Sequence, residues 1–202
     1  YHAFWPDPLL SFLQRSDVKV GEHVAFWIDV ASSKTTPAGD YRGSIEVSAD
    51  GCAPVSIPLL VRVWGFTLPD GTHLRNAFTY HDHAVGAFYR GSWDQNLARA
   101  YQDLLLDHRL GIDHLYRGEP PDVPTLQRAV ARGMNGFNVI FAGSGGVKEH
   151  VSEVLTRFVP QIKKAGLFRL AYLYGFDEIK ADKYDEAREV FNEVHRLAPG
   201  LP

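Results

Sequence analysis

Two side-chain periods divide this sequence, and the change between them falls at Leu68-Pro69-Asp70-Gly71. Upstream, apolar residues recur at every second position: Val24, Phe26, Ile28 and Val30, then Tyr41, Ile45 and Val47, then Val55, Ile57, Leu59, Val61 and Val63. A period of two places each apolar set on one face of a pleated strand. Turn clusters separate the runs, at Ser32 to Gly39 with Pro37 inside it and at Asp50-Gly51. Short alternating strands with turns between them predict a small β-sandwich over residues 1–67.

Downstream, over residues 68–202, strand-like runs alternate with stripes of helical period. Leu74 to Tyr80, His114 to Arg117, Phe137 to Phe141 and Arg169 to Phe176 are the expected strands. The first expected helix runs from about Asp94 to His108, with Leu97, Tyr101, Leu104, Leu105 and His108 on one stripe. The second spans Pro124 to Arg132, opens with proline in its first turn and stops at Gly133. Val147, Val151, Val154, Leu155 and Phe158 mark a third, which Pro160 is expected to kink or break because proline lacks the amide donor. A fourth takes Asp182 as N-cap, continues through Tyr184, Ala187, Val190, Phe191 and Val194, and closes at Pro199-Gly200.

Four strand–helix units joined in this way imply neighbouring parallel strands. They fit an open doubly wound sheet, and they fit equally the first half of a (β/α)8 barrel, which needs about 250 residues in full. The expected architecture is multidomain β plus α/β: the sandwich followed by an incomplete barrel. Pro37-Ala38-Gly39-Asp40-Tyr41 places an aromatic directly after a tight turn, as in the tyrosine corner of immunoglobulin-like sandwiches. A core tyrosine at a strand start reads the same way.

With 202 residues, of which 45% are hydrophobic, the chain can bury a core. A net charge of −3 argues against a nucleic-acid groove or a polybasic membrane surface, and no apolar run approaches the ~20 residues of a membrane span. Neutral soluble substrates are favoured. Cys52 is the single cysteine, which excludes an internal disulfide and a zinc knuckle. Tyr1 stands first without a basic and apolar leader, so a fragment is expected, any signal peptide having been removed or never included, and a half-barrel with unpaired sheet edges is expected to be inactive by itself.

The sharpest chemical feature is Ala171-Tyr172-Leu173-Tyr174-Gly175-Phe176-Asp177-Glu178, an aromatic strand ending in two adjacent carboxylates. Barrel enzymes assemble their sites at that end of their strands. Adjacent carboxylates repel, so one tends to keep its proton near neutral pH, as a general acid must. An ordinary loop start or helix cap has the same sequence. Two carboxylates suggest glycosidic cleavage, but neighbouring residues rarely straddle a sugar ring at the roughly 5–5.5 Å separation of a nucleophile and acid pair. They suit the substrate-assisted route, in which a 2-acetamido oxygen attacks and a protein carboxylate orients it.

Ala171 to Glu178 resembles the strand carrying the catalytic Asp-Glu pair of glycoside hydrolase family 123, the β-N-acetylgalactosaminidase family. Pro6-Asp7-Pro8-Leu9, Phe26-Trp27-Ile28-Asp29-Val30 and Pro37-Ala38-Gly39-Asp40-Tyr41-Arg42-Gly43 are similar to the sandwich that precedes the barrel in that family. The resemblance implies an enzyme that hydrolyses terminal N-acetylhexosamine with retention, using no cofactor and no metal. By it, Asp177 would polarise the acetamido group as it closes to an oxazolinium ion, and Glu178 would serve as acid and then as base. The implied partner is an N-acetylated sugar or glycan, and a secreted or periplasmic location is favoured on this ground alone.

Tyr80 and His81 at the first strand end, Arg117 at the second and Tyr174 before the carboxylates are candidate substrate-binding residues, through hydrogen bonds or ring stacking. His81-Asp82-His83 also resembles the metal-binding start of amidohydrolase-type barrels, which makes a metal-dependent hydrolase one alternative. A non-catalytic carbohydrate-binding relative is another. Gly143-Ser144-Gly145-Gly146 lacks the glycine that a dinucleotide loop needs at Lys148 and reads as a flexible loop. No Gly-x-Ser-x-Gly elbow surrounds Ser152, so serine hydrolase chemistry is unsupported.

Overall fold

A computed structural model describes residues 15–143 and 147–202, apart from the side chain of His83. Pro6 to Leu9 and Ser144 to Gly146 lie outside the described residues. The chain divides into two compact units, Tyr1–Leu68 and Pro69–Pro202.

In the first unit β1 (Gly39–Val47) pairs antiparallel with β2 (Val55–Val63), in a register running from Gly39↔Val63 to Val47↔Val55. Gly51 turns the hairpin at φ 77°, a conformation that costs glycine nothing. Ile45, Leu59, Val61 and Val63 are half-buried, whereas Val55, Ile57 and Leu60 are exposed. The Tyr41 hydroxyl donates to the Pro37 carbonyl at 2.8 Å, the local contact of a tyrosine corner. The expected sandwich is not seen among the described residues, however. Among the described residues this unit holds one two-stranded sheet, and Val24 to Val30 run without ladder pairing. Alternation reports which side of a strand a side chain takes, and carries no information on whether a second sheet covers that side.

The second unit contains, in order, β3 (Phe78–Thr79), α1 (Asp82–Phe88), α2 (Gln95–Asp107), β4 (Ile112–Asp113), α3 (Val123–Ala131), β5 (Phe137–Ala142), α4 (Lys148–Lys164), β6 (Ala171–Gly175) and α5 (Tyr184–Leu197). β3 runs parallel to β4, and β5 parallel to β6. These are two separate two-stranded sheets, and no barrel is closed, so the expected sandwich joined to an incomplete (β/α)8 barrel is overturned. Local sequence specifies strand, helix and strand. The number of strands in one ladder depends on pairing between distant segments, and at the central boundary side chains replace that ladder. Asn138 N–H donates to the Asp113 carboxylate at 2.9 Å, and the Asn138 side-chain amide donates to the Leu115 carbonyl at 2.7 Å.

The core lies around β5, where Phe137, Val139, Ile140 and Ala142 are fully buried. Burial on both faces explains its nearly continuous apolar run. α4 adds Val151, Val154, Leu155, Phe158, Val159 and Ile162, and α5 adds Val190 and Val194. Asp94 and Asp122 cap α2 and α3, accepting from Leu97 N–H at 2.8 Å and Thr125 N–H at 2.9 Å. Arg128 and Arg132 pair with Asp103, and Arg132 also with Asp107, linking the end of α3 to α2.

Local expectations are corrected as well. The second expected strand, His114 to Arg117, is a turn, and the strand lies just before it as β4 (Ile112–Asp113). Of the kink or break expected at Pro160, the break does not occur: α4 runs from Lys148 to Lys164 with the proline inside it, burial of its six-residue apolar stripe offsetting the roughly 3 kcal/mol that an interior proline costs. Asp182 sits inside a 3-10 turn, Ala181–Lys183, and α5 begins after it without a side-chain cap. α1 has no counterpart in the expected elements; its Asp82–Phe88 segment is too short to display a helical stripe. Among the described residues no helix is long and apolar enough to cross a membrane.

Gly175 ends β6 under steric compulsion. A Cβ there would stand 2.2 Å from the Ala142 carbonyl oxygen and 2.7 Å from its Cβ. Gly175→Ala is therefore expected to destabilise the protein by about 1–3 kcal/mol, the usual cost of overpacking. A urea melt checks this, and an unchanged midpoint would show that β5 and β6 can separate to admit a methyl group.

Candidate functional site

β6 delivers its carboxylates through a strained turn. Phe176 at φ 52° and Glu178 at φ 50° both occupy the left-handed region, which costs residues with a Cβ on the order of 1–2 kcal/mol each. Phe176 is held there from two directions. Its N–H donates to the Ala142 carbonyl at 2.8 Å, and its buried ring packs on Phe191 at 5.8 Å between centroids. Strain sustained by its surroundings is characteristic of functional turns. Between the two strained residues, Asp177 projects as an exposed side chain, and Glu178 is exposed beside it.

The Tyr116 hydroxyl donates to Asp177 Oδ2 at 2.6 Å. That bond, with the phenol of Tyr174 beside the same carboxylate, holds Asp177 below the usual carboxylate range. The reciprocal effect raises the Tyr116 phenol, chiefly through Asp177, and raises Tyr174 in the same way. Both hydrogen bonds favour the ionised form of Asp177. Tyr116, Phe141 and Tyr174 meet in a cluster with centroid separations of 5.1 to 5.9 Å. Rings this close fill the space between themselves, so they present a platform and leave no cage for a cation.

Beneath the platform lies a buried polar hub. Asp113, at the end of β4, accepts from Arg117 Nη2 at 2.8 Å, His114 N–H at 2.8 Å, Asn138 N–H at 2.9 Å and the Tyr172 hydroxyl. Asn138, fully buried, passes the connection on, its Oδ1 accepting from Tyr174 N–H at 3.0 Å. Burial and the bond to Asp113 raise the Tyr172 phenol, which therefore stays a donor. Satisfaction of every acceptor makes so polar a hub tolerable between strands.

Of the residues singled out in the sequence, Tyr174, Asp177 and Glu178 come together. Tyr80, His81 and Arg117 stand on the β3–β4 side. The Tyr80 hydroxyl is buried beside Asp82, its ring stacks on Tyr101 at 6.0 Å, and burial, with the Asp82 carboxylate next to it, raises its phenol strongly. His81 Nδ1 faces His114 Nε2 at 2.7 Å, an arrangement in which one ring donates and the other accepts. Arg117 is taken up by Asp113 and the His114 carbonyl. Tyr80 and Arg117 line a cavity of about 300 Å³ with Asp82, His114, Glu119 and Asp122; Asp177 and Glu178 are not among its walls. His83 falls within α1, and among the described residues no three potential ligands gather as a metal site.

Tyr116, Phe141, Asp113, Asn138 and Tyr172 escape a reading of the sequence. One usable signal exists: Asn138 interrupts the apolar run Phe137 to Ala142, and an amide in such a run requires buried partners. Comparison with protein-family models and with curated proteins finds no match to this chain.

Proposed function

We propose that this protein is a glycoside hydrolase of the family 123 type, cleaving a terminal N-acetylhexosamine of β-N-acetylgalactosaminide character by substrate-assisted, retaining hydrolysis. The observation that carries the reading is the Tyr116–Asp177 hydrogen bond, which keeps Asp177 ionised next to Glu178 and beside an aromatic platform. An ionised carboxylate suits the group that must accept the acetamido N–H and balance its growing positive charge. The exposed ring of Tyr116, with the half-buried Phe141 and Tyr174 beside it, suits the apolar face of a pyranose.

In the first step the acetamido oxygen bonds to C1 while the C1–O bond to the leaving group breaks. Glu178 gives its proton to the departing oxygen, and Asp177 stabilises the oxazolinium ion. In the second step Glu178, now a carboxylate, removes a proton from water. The water oxygen bonds to C1 as the bond from C1 to the acetamido oxygen breaks, which opens the oxazolinium ring and restores the acetamide. Two displacements at C1 retain the configuration.

Release of aryl alcohol from an aryl N-acetyl-β-galactosaminide, with the β-anomer as the first sugar detected by NMR, is the expected result. The corresponding glycoside with a 2-hydroxyl in place of the acetamide should turn over poorly, since it brings no nucleophile. Equal cleavage of both, or first release of the α-anomer, would refute the substrate-assisted route.

The acidic limb of kcat/KM should follow Asp177. Because its carboxyl sits below the ordinary range, activity should persist as pH falls until Asp177 takes a proton. Tyr116→Phe removes the largest lowering influence, so the limb should move to higher pH. A limb that stays in place in this variant would dissociate Asp177 from the profile.

A further inference from the structure

We propose that Arg117 is a positioning residue: through the buried Asp113 carboxylate it fixes the turn that delivers the Tyr116 hydroxyl to Asp177. Its effect on turnover rests on the glycosidase reading, whereas the mechanical coupling does not.

An exposed phenol–carboxylate bond gains little unless its partners are already ordered, because water competes for both and rotamer entropy opposes it. Tyr116 is 47% exposed, yet its bond to Asp177 is 2.6 Å long. Both ends are anchored below. On the tyrosine side, the guanidinium of Arg117, 13% exposed, donates from Nε to the His114 carbonyl at 3.0 Å and from Nη2 to Asp113 Oδ1 at 2.8 Å. The Arg117 amide closes on the same His114 carbonyl at 3.3 Å, so Tyr116 lies within a turn clamped from both of its sides. On the carboxylate side, Asp113 Oδ2 accepts from the Tyr172 hydroxyl, which fixes β6 shortly before Asp177. The same oxygen accepts from Asn138 N–H of β5. One buried carboxylate therefore registers the turn bearing Tyr116 against the strand bearing Asp177. Among the described residues no hydrogen bond or ion pair joins Arg117 to Asp177, so its influence must travel through this geometry.

The test is a 13C NMR titration of the Asp177 carboxyl in the full chain, with the resonance assigned by its loss in Asp177→Asn. Tyr116, Tyr174 and Glu178 are the titratable groups that face it. Tyr116→Phe should move the Asp177 midpoint upward, toward the ordinary range. Arg117→Met should move it in the same direction, and combining the two should add nothing further. Arg117→Lys keeps the charge but has no planar fork to span both acceptors, so it should behave as Arg117→Met does.

A wild-type titration in Arg117→Lys would show that charge rather than the fork acts, and would overturn the proposal. An unmoved Asp177 in both Arg117 variants, or in Tyr116→Phe, would overturn it as well. If Arg117→Met fails to fold because Asp113 is left unpaired, Asp113→Asn with Arg117→Met buries no charge and takes its place, and a wild-type midpoint there is equally fatal. Sugar cleavage is not read in this experiment. Absence of cleavage would sink the glycosidase proposal and leave the coupling standing, and the reverse holds for an unmoved titration.

Discussion

Glu178→Gln is expected to lower kcat on an N-acetylhexosaminide with a poor leaving group by about 10²–10⁴-fold, the range that general acid catalysis supplies. Glutamine preserves the shape of the side chain and removes the proton that the departing oxygen needs. The deficit should depend on the leaving group. An aryl oxide that departs readily needs little protonation, so its first step should be nearly unaffected, and the later attack by water, deprived of its base, should limit the rate. Steady-state kinetics on a series of aryl glycosides of graded leaving-group acidity measures this. A loss of the same size across the series would mean that Glu178 holds substrate and transfers no proton. Wild-type turnover of the poorest leaving group would remove it from the chemistry altogether.

The second large effect is on stability. Asp113→Ala should destabilise the second unit by about 3–5 kcal/mol, because it leaves the buried Arg117 guanidinium without its counter-charge. The Tyr172 hydroxyl and the Asn138 and His114 amides lose their acceptor in the same substitution. Against a typical domain stability of about 5–15 kcal/mol, such a loss is a large fraction of the whole. A denaturant melt followed by tryptophan fluorescence and far-UV circular dichroism checks it. The paired change Asp113→Asn with Arg117→Met should recover much of the deficit, since no charge then remains buried. Equal destabilisation by the paired and single changes would place the cost in packing and not in electrostatics.

The carboxylate pair is legible in the sequence because strand-end position is a local property: an apolar aromatic run stops, and acids follow. Its partner Tyr116 is not legible. Its aromatic character is ordinary, and sixty-one positions separate it from Asp177 along the chain. The adjacency argument also gives no reason for Asp177 to be held in its ionised form; that comes from two phenols, Tyr174 of its own strand and, with the larger effect, Tyr116 from a distant turn. Arg117 illustrates the converse. As a cation at a strand end it reads as a substrate contact, while its guanidinium is engaged by Asp113 below.

The chain's own periodicities determined where strands and helices form along much of its length, down to the aspartates that cap α2 and α3. Those features depend on neighbours within a few residues, so they are written in consecutive letters. Tertiary structure decided that β1 and β2 form a two-stranded ladder among the described residues, that β4 meets β5 through Asp113 and Asn138, and that Tyr116 lands on Asp177. Each of these is a contact between distant segments, selected by which buried polar groups can satisfy one another, and no local period records that choice.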